Sequence, residues 1–244
     1  MIKKILILFL LLTNISYAKD SNNLIIFAES DLAIPLVKII RKYSKENNVV
    51  VSINFDSSFD LINKIDDGEP ADIFVSSHKD WVDSLKQKGV IDIYSLVNIA
   101  EDNLVLITSN KNERFFKEKL DSKNLKLIFN RLNKMGYSLI ADSEHKSLGK
   151  YSSKIIEKYD IKPNRVFRKL NEYIKSIIDF VSDDKNIFAL VLESAILPKD
   201  NVRIVAKIPD IAINYQASAI AGNNMKLARD FIKFLEGLDF KKFL

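Results

Sequence analysis

The chain of 244 residues contains no cysteine, six glycines, two histidines and one tryptophan, and each scarcity closes off a chemistry. Without cysteine there is no disulfide, no thiolate nucleophile and no thiolate-held metal, so stability rests on burial. The few glycines form no G-x-G-x-x-G turn, no P-loop and no G-x-S-x-G elbow, which removes phosphate cradling by a glycine-rich loop and a common hydrolase nucleophile. The histidines are His78 and His145, and Asp142, Glu144 and His145 are close enough in sequence to raise a hydrolytic or metal-dependent enzyme as an alternative. Adjacent loop residues rarely aim at one centre, however, and no third ligand stands at helical spacing. No catalytic residue, metal ligand or cofactor is therefore expected. A block of one charge is missing too: 37 basic and 32 acidic residues are interleaved for a net charge of +5, which gives no nucleic-acid footprint.

Long apolar runs are also absent. Lys3 and Lys4 precede the run Ile5 to Leu12, and a polar stretch then ends in Ser16-Tyr17-Ala18. This is the layout of an export signal, and cleavage is expected after Ala18. The run is shorter than the roughly 18 to 20 apolar residues a membrane span requires, and no cysteine follows it to accept a lipid.

What fills the rest is an alternation of β-branched runs with amphipathic segments, the pattern of an α/β fold with parallel sheets covered by helices. Strands are expected at Leu24 to Ala28, Val49 to Phe55, Asp72 to Ser76, Leu104 to Ile107, Ser138 to Ala141, Phe188 to Leu192, Val202 to Ala206 and Gln216 to Ile220. Leu32, Leu36, Ile39, Ile40 and Tyr43 share one helical face, as do Leu125, Ile128, Phe129 and Leu132. A last helix from Met225 to Leu235 is expected to turn Leu227, Phe231, Phe234 and Leu235 inward. No Gly/Ser/Pro linker separates domains, so a second lobe has to be inserted, with the chain crossing near Ala100 to Asn103 and again near Pro209 to Tyr215.

Four segments share a strand or turn followed by small polar residues that open a helix: Ala28-Glu29-Ser30-Asp31-Leu32, Phe55-Asp56-Ser57-Ser58-Phe59, Lys146-Ser147-Leu148-Gly149-Lys150 and Asn171-Glu172-Tyr173-Ile174-Lys175. Helix starts leave backbone N–H groups unpaired and carry partial positive charge, so several facing one cleft make an anion site without any cationic side chain. Each alone is equally an ordinary N-cap.

Ordered blocks then carry a resemblance. Phe27-Ala28-Glu29-Ser30-Asp31-Leu32 is similar to the opening F-A-A-A-S-L of the periplasmic molybdate-binding family, and Phe55-Asp56-Ser57-Ser58 with Leu61 and Ile65 resembles its F-x-S-S-x-x-L-x-x-x-I. Gly68-Glu69-Pro70-Ala71-Asp72-Ile73-Phe74-Val75-Ser76, continuing to Trp81, is close to its G-x-P-A-D-[LI]-F-[IV]-S-A block. Asn103-Leu104-Val105-Leu106 fits its first hinge strand, and Ala141-Asp142-Ser143-Glu144-His145 with Gly149 and Tyr151 resembles its G-D-P-E-H-x-P-A-G-x-Y loop. The resemblance implies a two-lobed periplasmic-binding-protein fold of the second type, a mainly parallel sheet in each lobe and a ligand cleft between them. Residues 1–18 would be the signal, 19–102 the first part of lobe 1, 103–210 lobe 2, and 211–244 the return crossing with the C-terminal helix. It also implies a monomeric periplasmic protein that binds molybdate or tungstate as transported ligand and meets an ABC permease in the inner membrane.

In that family the oxyanion is held by a serine at each of the first two helix starts, two backbone N–H groups at later starts, and a tyrosine hydroxyl. Carried over position by position, Ser58 matches the second serine, and Leu148 and Ile174 fall on the backbone donors. The first serine falls on Asp31, with Ser30 one residue earlier, and the tyrosine falls on Leu192. Losing one hydroxyl at Leu192 costs about 0.5 to 1.5 kcal/mol. An ionised carboxylate about 4 Å from a unit negative charge costs on the order of 4 kcal/mol at an effective dielectric of 20, about half of a micromolar binding energy. Three readings of Asp31 stay open: an N-cap folded onto its own helix, a one-residue offset in which Ser30 supplies the hydroxyl, or a pocket with a changed ligand. A degenerate member that binds nothing tightly stands beside them.

Overall fold

The computed structural model describes residues 22–116, 123–142, 146–161, 166–169, 174–198, 200–222 and 224–240. Its frame is one curled eight-stranded sheet in the order β2-β1-β3-β8-β4-β7-β5-β6. The strands are β1 (Asn23–Glu29), β2 (Val50–Asp56), β3 (Ile73–Ser76), β4 (Val97–Ser109), β5 (Ser138–Asp142), β6 (Val166–Lys169), β7 (Ile187–Leu192) and β8 (Val202–Ala219). β1 runs parallel to β2 and β3 at one end, and β5 runs parallel to β6 and β7 at the other. Between these two wings β4 and β8 lie antiparallel, with register shifts between Asn98 and Ala100, between Asn103 and Val105, and between Leu106 and Ile107. Ala100 to Asn103 and Pro209 to Tyr215, the segments where crossings are expected from the sequence, belong to β4 and β8. What reads as two strands, Val202 to Ala206 and Gln216 to Ile220, is one 18-residue strand: Lys207 and Ala212 to Tyr215 also pair with β4, and Ile208 to Ile211, with Pro209 among them, fall in the register shift between Asn103 and Val105. β6 escaped notice because its four residues are too few to show a period.

Alternation along the strands buries both faces, as covered parallel sheets require. Leu24, Ile26 and Ala28 of β1 join the main core, whereas Phe27 joins a separate cluster with Leu61, Phe74 and Leu85. Leu104 and Leu106 of β4 likewise face the main core, whereas Val105 and Ile107 pack with Ile177, Ile178 and Val181. The helices are α1 (Ala33–Asn47), α2 (Ser58–Asp66), α3 (Lys79–Gln87), α4 (Leu125–Met135), α5 (Ser147–Lys158), α6 (Ile174–Asp183) and α7 (Met225–Glu236). The stripes expected on α1 and α4 are buried throughout. On α7 the buried set is Ala228, Phe231, Ile232 and Leu235, with Leu227 and Phe234 only packed against its edge, a rotation of the inward face by part of a turn.

Local chemistry sets the helix ends. Asn48 and Gly136 end α1 and α4 in the left-handed conformation, at φ of 53° and 73°, where an asparagine or glycine is least strained. Ser57 caps α2: its Oγ accepts from Asp60 N at 3.1 Å and donates to the Asp60 carboxylate at 2.5 Å, while its own backbone N–H donates to Asp56 Oδ1 at 2.9 Å. No helix among the described residues is long and apolar enough to cross a membrane.

Candidate functional site

Parallel strands deliver their carboxyl ends to one edge of the sheet, where the following helices begin, and such edges are where open α/β sheets bind ligands. β1 ends there in Glu29, β3 in Ser76 and β5 in Asp142. α2 begins with Ser58, α3 follows Ser77 and His78, and α5 begins with Ser147. α5 belongs to the second wing, so the edge is assembled from both.

At its centre lies the carboxylate of Glu29, 2% exposed. Its Oε2 accepts from Ser58 Oγ at 2.7 Å, Ser147 Oγ at 2.7 Å, Ser77 N at 3.0 Å and Ser77 Oγ at 3.0 Å. Its Oε1 accepts from Ser147 N at 3.1 Å. Ser58 Oγ also lies 2.8 Å from Ser76 Oγ. These serines are all buried. Every donor is neutral, two are backbone amides at helix starts, and together they make an anion nest of the kind partial charges alone can build. Hydrogen bonds to a charged acceptor contribute about 1.5 to 3 kcal/mol each, enough to offset the desolvation of one carboxylate.

Around this nest stand three more acids. Asp31 sits in the short 3-10 turn Ser30–Leu32 that leads into α1, half-buried. Burial first, then the nearby charges of Glu29 and Asp142, push its carboxyl up to about 8 against the opposing pull of Lys146. It is not a cap: the capping positions of the turn and of α1 are Glu29 and Leu32, and neither makes a side-chain cap bond. That reading, the simplest at the level of sequence, is corrected here, because the chain takes a 3-10 turn before its α-helix and Asp31 falls inside it. Asp102, raised by burial despite accepting from Ser194 Oγ at 2.5 Å, is the third acid to act on Asp31. The buried Tyr215 of β8 is raised as well, by burial and then by the charges of Asp31, Asp102 and Glu29.

Further contacts join the wings over the nest. Tyr151 of α5 donates to Ser77 O at 2.8 Å, and its ring lies 4.6 Å from that of His78. Lys150 lies 3.5 Å from the Asp80 carboxylate, with its ammonium 3.8 Å from the centroid of the Trp81 ring. His78 Nδ1 accepts from Asp80 N at 3.2 Å, and burial lowers the imidazole's proton affinity against the raising effect of Asp80.

The residues expected from the sequence to bind the ligand are distributed unevenly over this arrangement. Ser58 is in the nest. Leu148 follows Ser147 as the second residue of α5 and is buried in the main core with Leu192, which ends β7 opposite Leu104. Ile174 opens α6, whereas Asn171, Glu172 and Tyr173 lie outside the described residues, as do Ser143, Glu144 and His145. Ser30 begins the turn, half-buried. The donor on α5 is the amide of Ser147, with its hydroxyl, one residue before Leu148. Sequence reasoning missed Glu29 and Ser77, although Val75-Ser76-Ser77-His78 repeats the strand-then-serine pattern of the four chosen segments. Among the described residues no group of three or more His, Asp or Glu is placed to hold a metal.

The fold is that of the two-lobed periplasmic binding proteins. Residues 24–244 match the family described as bacterial extracellular solute-binding protein, and the chain belongs to that family. It is 24% identical over 225 residues to the molybdate-binding protein ModA of Escherichia coli, covering 89% of this chain and 85% of that one. It is 27% identical over 227 residues to the protein of the same name from Haemophilus influenzae, covering 90% and 86%. The tungstate ABC transporter structure from Geobacter sulfurreducens matches in fold with a TM-score of 0.71 at 15% identity, over 91% of this chain and 97% of that one. The resemblance carried by the ordered blocks and the two-lobed α/β architecture are borne out, and both curated relatives are named as molybdate-binding proteins.

Proposed function

We propose that this chain is an exported, non-enzymatic solute-binding subunit that carries a tetrahedral oxyanion of the molybdate and tungstate class to an ABC permease in the inner membrane. The observation that carries this reading is the convergence of five donors from α2, the β3–α3 turn and α5 on one carboxylate. A nest that satisfies a buried carboxylate with hydroxyls and helix-start amides has the chemistry an oxyanion needs, and two curated relatives are named for molybdate. The solute takes the position of the Glu29 carboxylate, between a lobe of residues 19–102 with 211–244 and a lobe of residues 103–210. Leu148 and Ile174 mark the helix starts that contribute backbone donors. The protein acts as a monomer after cleavage at Ala18, with no cofactor.

A second reading is favoured by the acids: Glu29, Asp31, Asp102 and Asp142 share one neighbourhood, so the same fold serves an altered ligand or none. A thermal-shift series on the mature protein with molybdate, tungstate, sulfate and phosphate separates the two. Stabilisation by molybdate or tungstate above sulfate and phosphate is expected, approaching about 2.7 kcal/mol at a hundredfold over the dissociation constant. No response to any oxyanion, in the native chain and with the Glu29 carboxylate removed, would favour the second reading.

A further inference from the structure

We propose that Glu29 is a tethered surrogate for the solute: its carboxylate fills the oxyanion position, closes the two lobes on itself, and so has to be displaced by any solute that enters. This deepens the oxyanion reading and rests on it for the identity of the competing ligand.

Three observations meet in one side chain. Glu29 is supplied by β1, in the first wing, yet its carboxylate accepts from both the amide and the hydroxyl of Ser147, in the second. It therefore does what a bound anion does in a two-lobed protein, which is to satisfy donors of both lobes at once. The donors are occupied: the hydroxyls of Ser58, Ser77 and Ser147 all lie within hydrogen-bonding distance of Glu29 Oε2, with Ser76 Oγ a second partner of Ser58, and a second anion would have to compete with Glu29 for them. The lobes are also latched around it, with Tyr151 bonded to Ser77 O and Lys150 set against Asp80 and Trp81. A glutamate suits this place because its last methylene carries the carboxylate from the end of β1 across to the start of α5.

A tethered occupant has two consequences. It populates the closed form in the absence of solute, and it lowers the apparent affinity of an entering solute by the fraction of molecules in which the nest is free. It also makes the pocket selective by charge. A dianion entering while Glu29 stays nearby as an anion meets repulsion from it, so only a ligand that binds the nest strongly enough to expel Glu29 is taken.

The test compares the mature native protein with Glu29→Ala and, as an isosteric second variant, Glu29→Gln. Small-angle scattering reads lobe closure, emission of Trp81 reads its separation from Lys150, and melting temperature reads binding of sodium acetate, molybdate and tungstate against sodium chloride at equal ionic strength. The native protein is expected to scatter as a closed particle without added anion. Glu29→Ala should scatter as a larger one, close again and gain stability with acetate, which restores an untethered carboxylate, and bind molybdate or tungstate at least tenfold more tightly than the native chain. Glu29→Gln keeps the size and loses the charge, and should also open and bind molybdate or tungstate more tightly. A native protein that is open in solution, or variants that neither open nor respond to acetate, overturns the surrogate role. If the native chain still binds molybdate in that case, the oxyanion reading survives. Variants that close on acetate but on neither molybdate nor tungstate keep the role of Glu29 and overturn the oxyanion reading.

Discussion

Replacing Asp31 by asparagine isolates the electrostatic cost of crowding acids around the nest. The carboxyl titrates near 3.9 in an unfolded chain and at about 8 in the folded one, raised by burial and then by Glu29 and Asp142. A folded state that binds a proton more tightly than the unfolded state is favoured by acid. The contribution is complete below about pH 3.9, declines through the interval, and is lost as pH rises through 8. At about 1.4 kcal/mol per pH unit, the span from pH 5 to pH 8 sets a ceiling of about 4 kcal/mol. Because the side chain is only half-buried, solvent relaxation brings the expected figure nearer to about 2 kcal/mol. Asp31→Asn has the shape of the protonated acid without its titration. The lead of its melting temperature over that of the native protein should therefore grow by roughly 4 to 8 °C between pH 5 and pH 8, taking about 2 to 4 °C per kcal/mol for a chain of this size. Scanning calorimetry of both proteins across this range, at fixed ionic strength and without oxyanions, makes the measurement. Parallel curves for the two proteins would refute the placement of an isolated carboxyl beside Glu29.

Asp31→Ser should strengthen molybdate or tungstate binding in titration calorimetry at pH 8, because it removes a like charge and offers a hydroxyl; unchanged or weaker affinity would show that Asp31 does not face the ligand. Ser147→Ala removes the 2.7 Å bond to Glu29 and leaves the amide, so urea unfolding should lose about 1.5 to 3 kcal/mol with an unchanged denaturant slope. Tyr151→Phe removes the bond to Ser77 O and should cost about 1 kcal/mol, with a change in Trp81 emission as Lys150 moves from its ring. A Tyr151→Phe protein as stable as its parent would mean that this latch contributes nothing.

The layering of the fold was legible because its causes are local. Periodic stripes on α1 and α4 fall where tertiary packing wants them, so Leu36, Ile39 and Tyr43, or Ile128, Phe129 and Leu132, are buried as their spacing requires. The long β8 was not legible as one strand, since Pro209 interrupts its pattern and the pairing with β4 that resumes on either side of Ile208 to Ile211 joins residues more than ninety positions apart in sequence. Ala100 to Asn103 and Pro209 to Tyr215 are likewise parts of this strand pair, and no linker composition marks them.

The site shows the same limit in a sharper form. Asp31 drew attention because it stands where the family has a hydroxyl, and a charge at a known donor position is easy to weigh. Glu29 stands where the matching block has alanine, two residues earlier, and nothing local distinguishes it from an exposed acid at the end of a strand. Its meaning comes from reach. Carried on one more methylene than an aspartate, its carboxylate spans from β1 to hydroxyls on α2 and α5 and to the turn before α3, elements 29, 118 and 48 residues away. Asp31, on a shorter side chain inside a 3-10 turn, is left outside that set of donors and is made costly by it. The two acids are thus one electrostatic unit: the nest satisfies Glu29 with neutral donors, and the neighbouring Asp31 bears the repulsion of its charge. Changing only Asp31 relieves the repulsion while the five donors to Glu29 stay occupied, whereas changing Glu29 frees them.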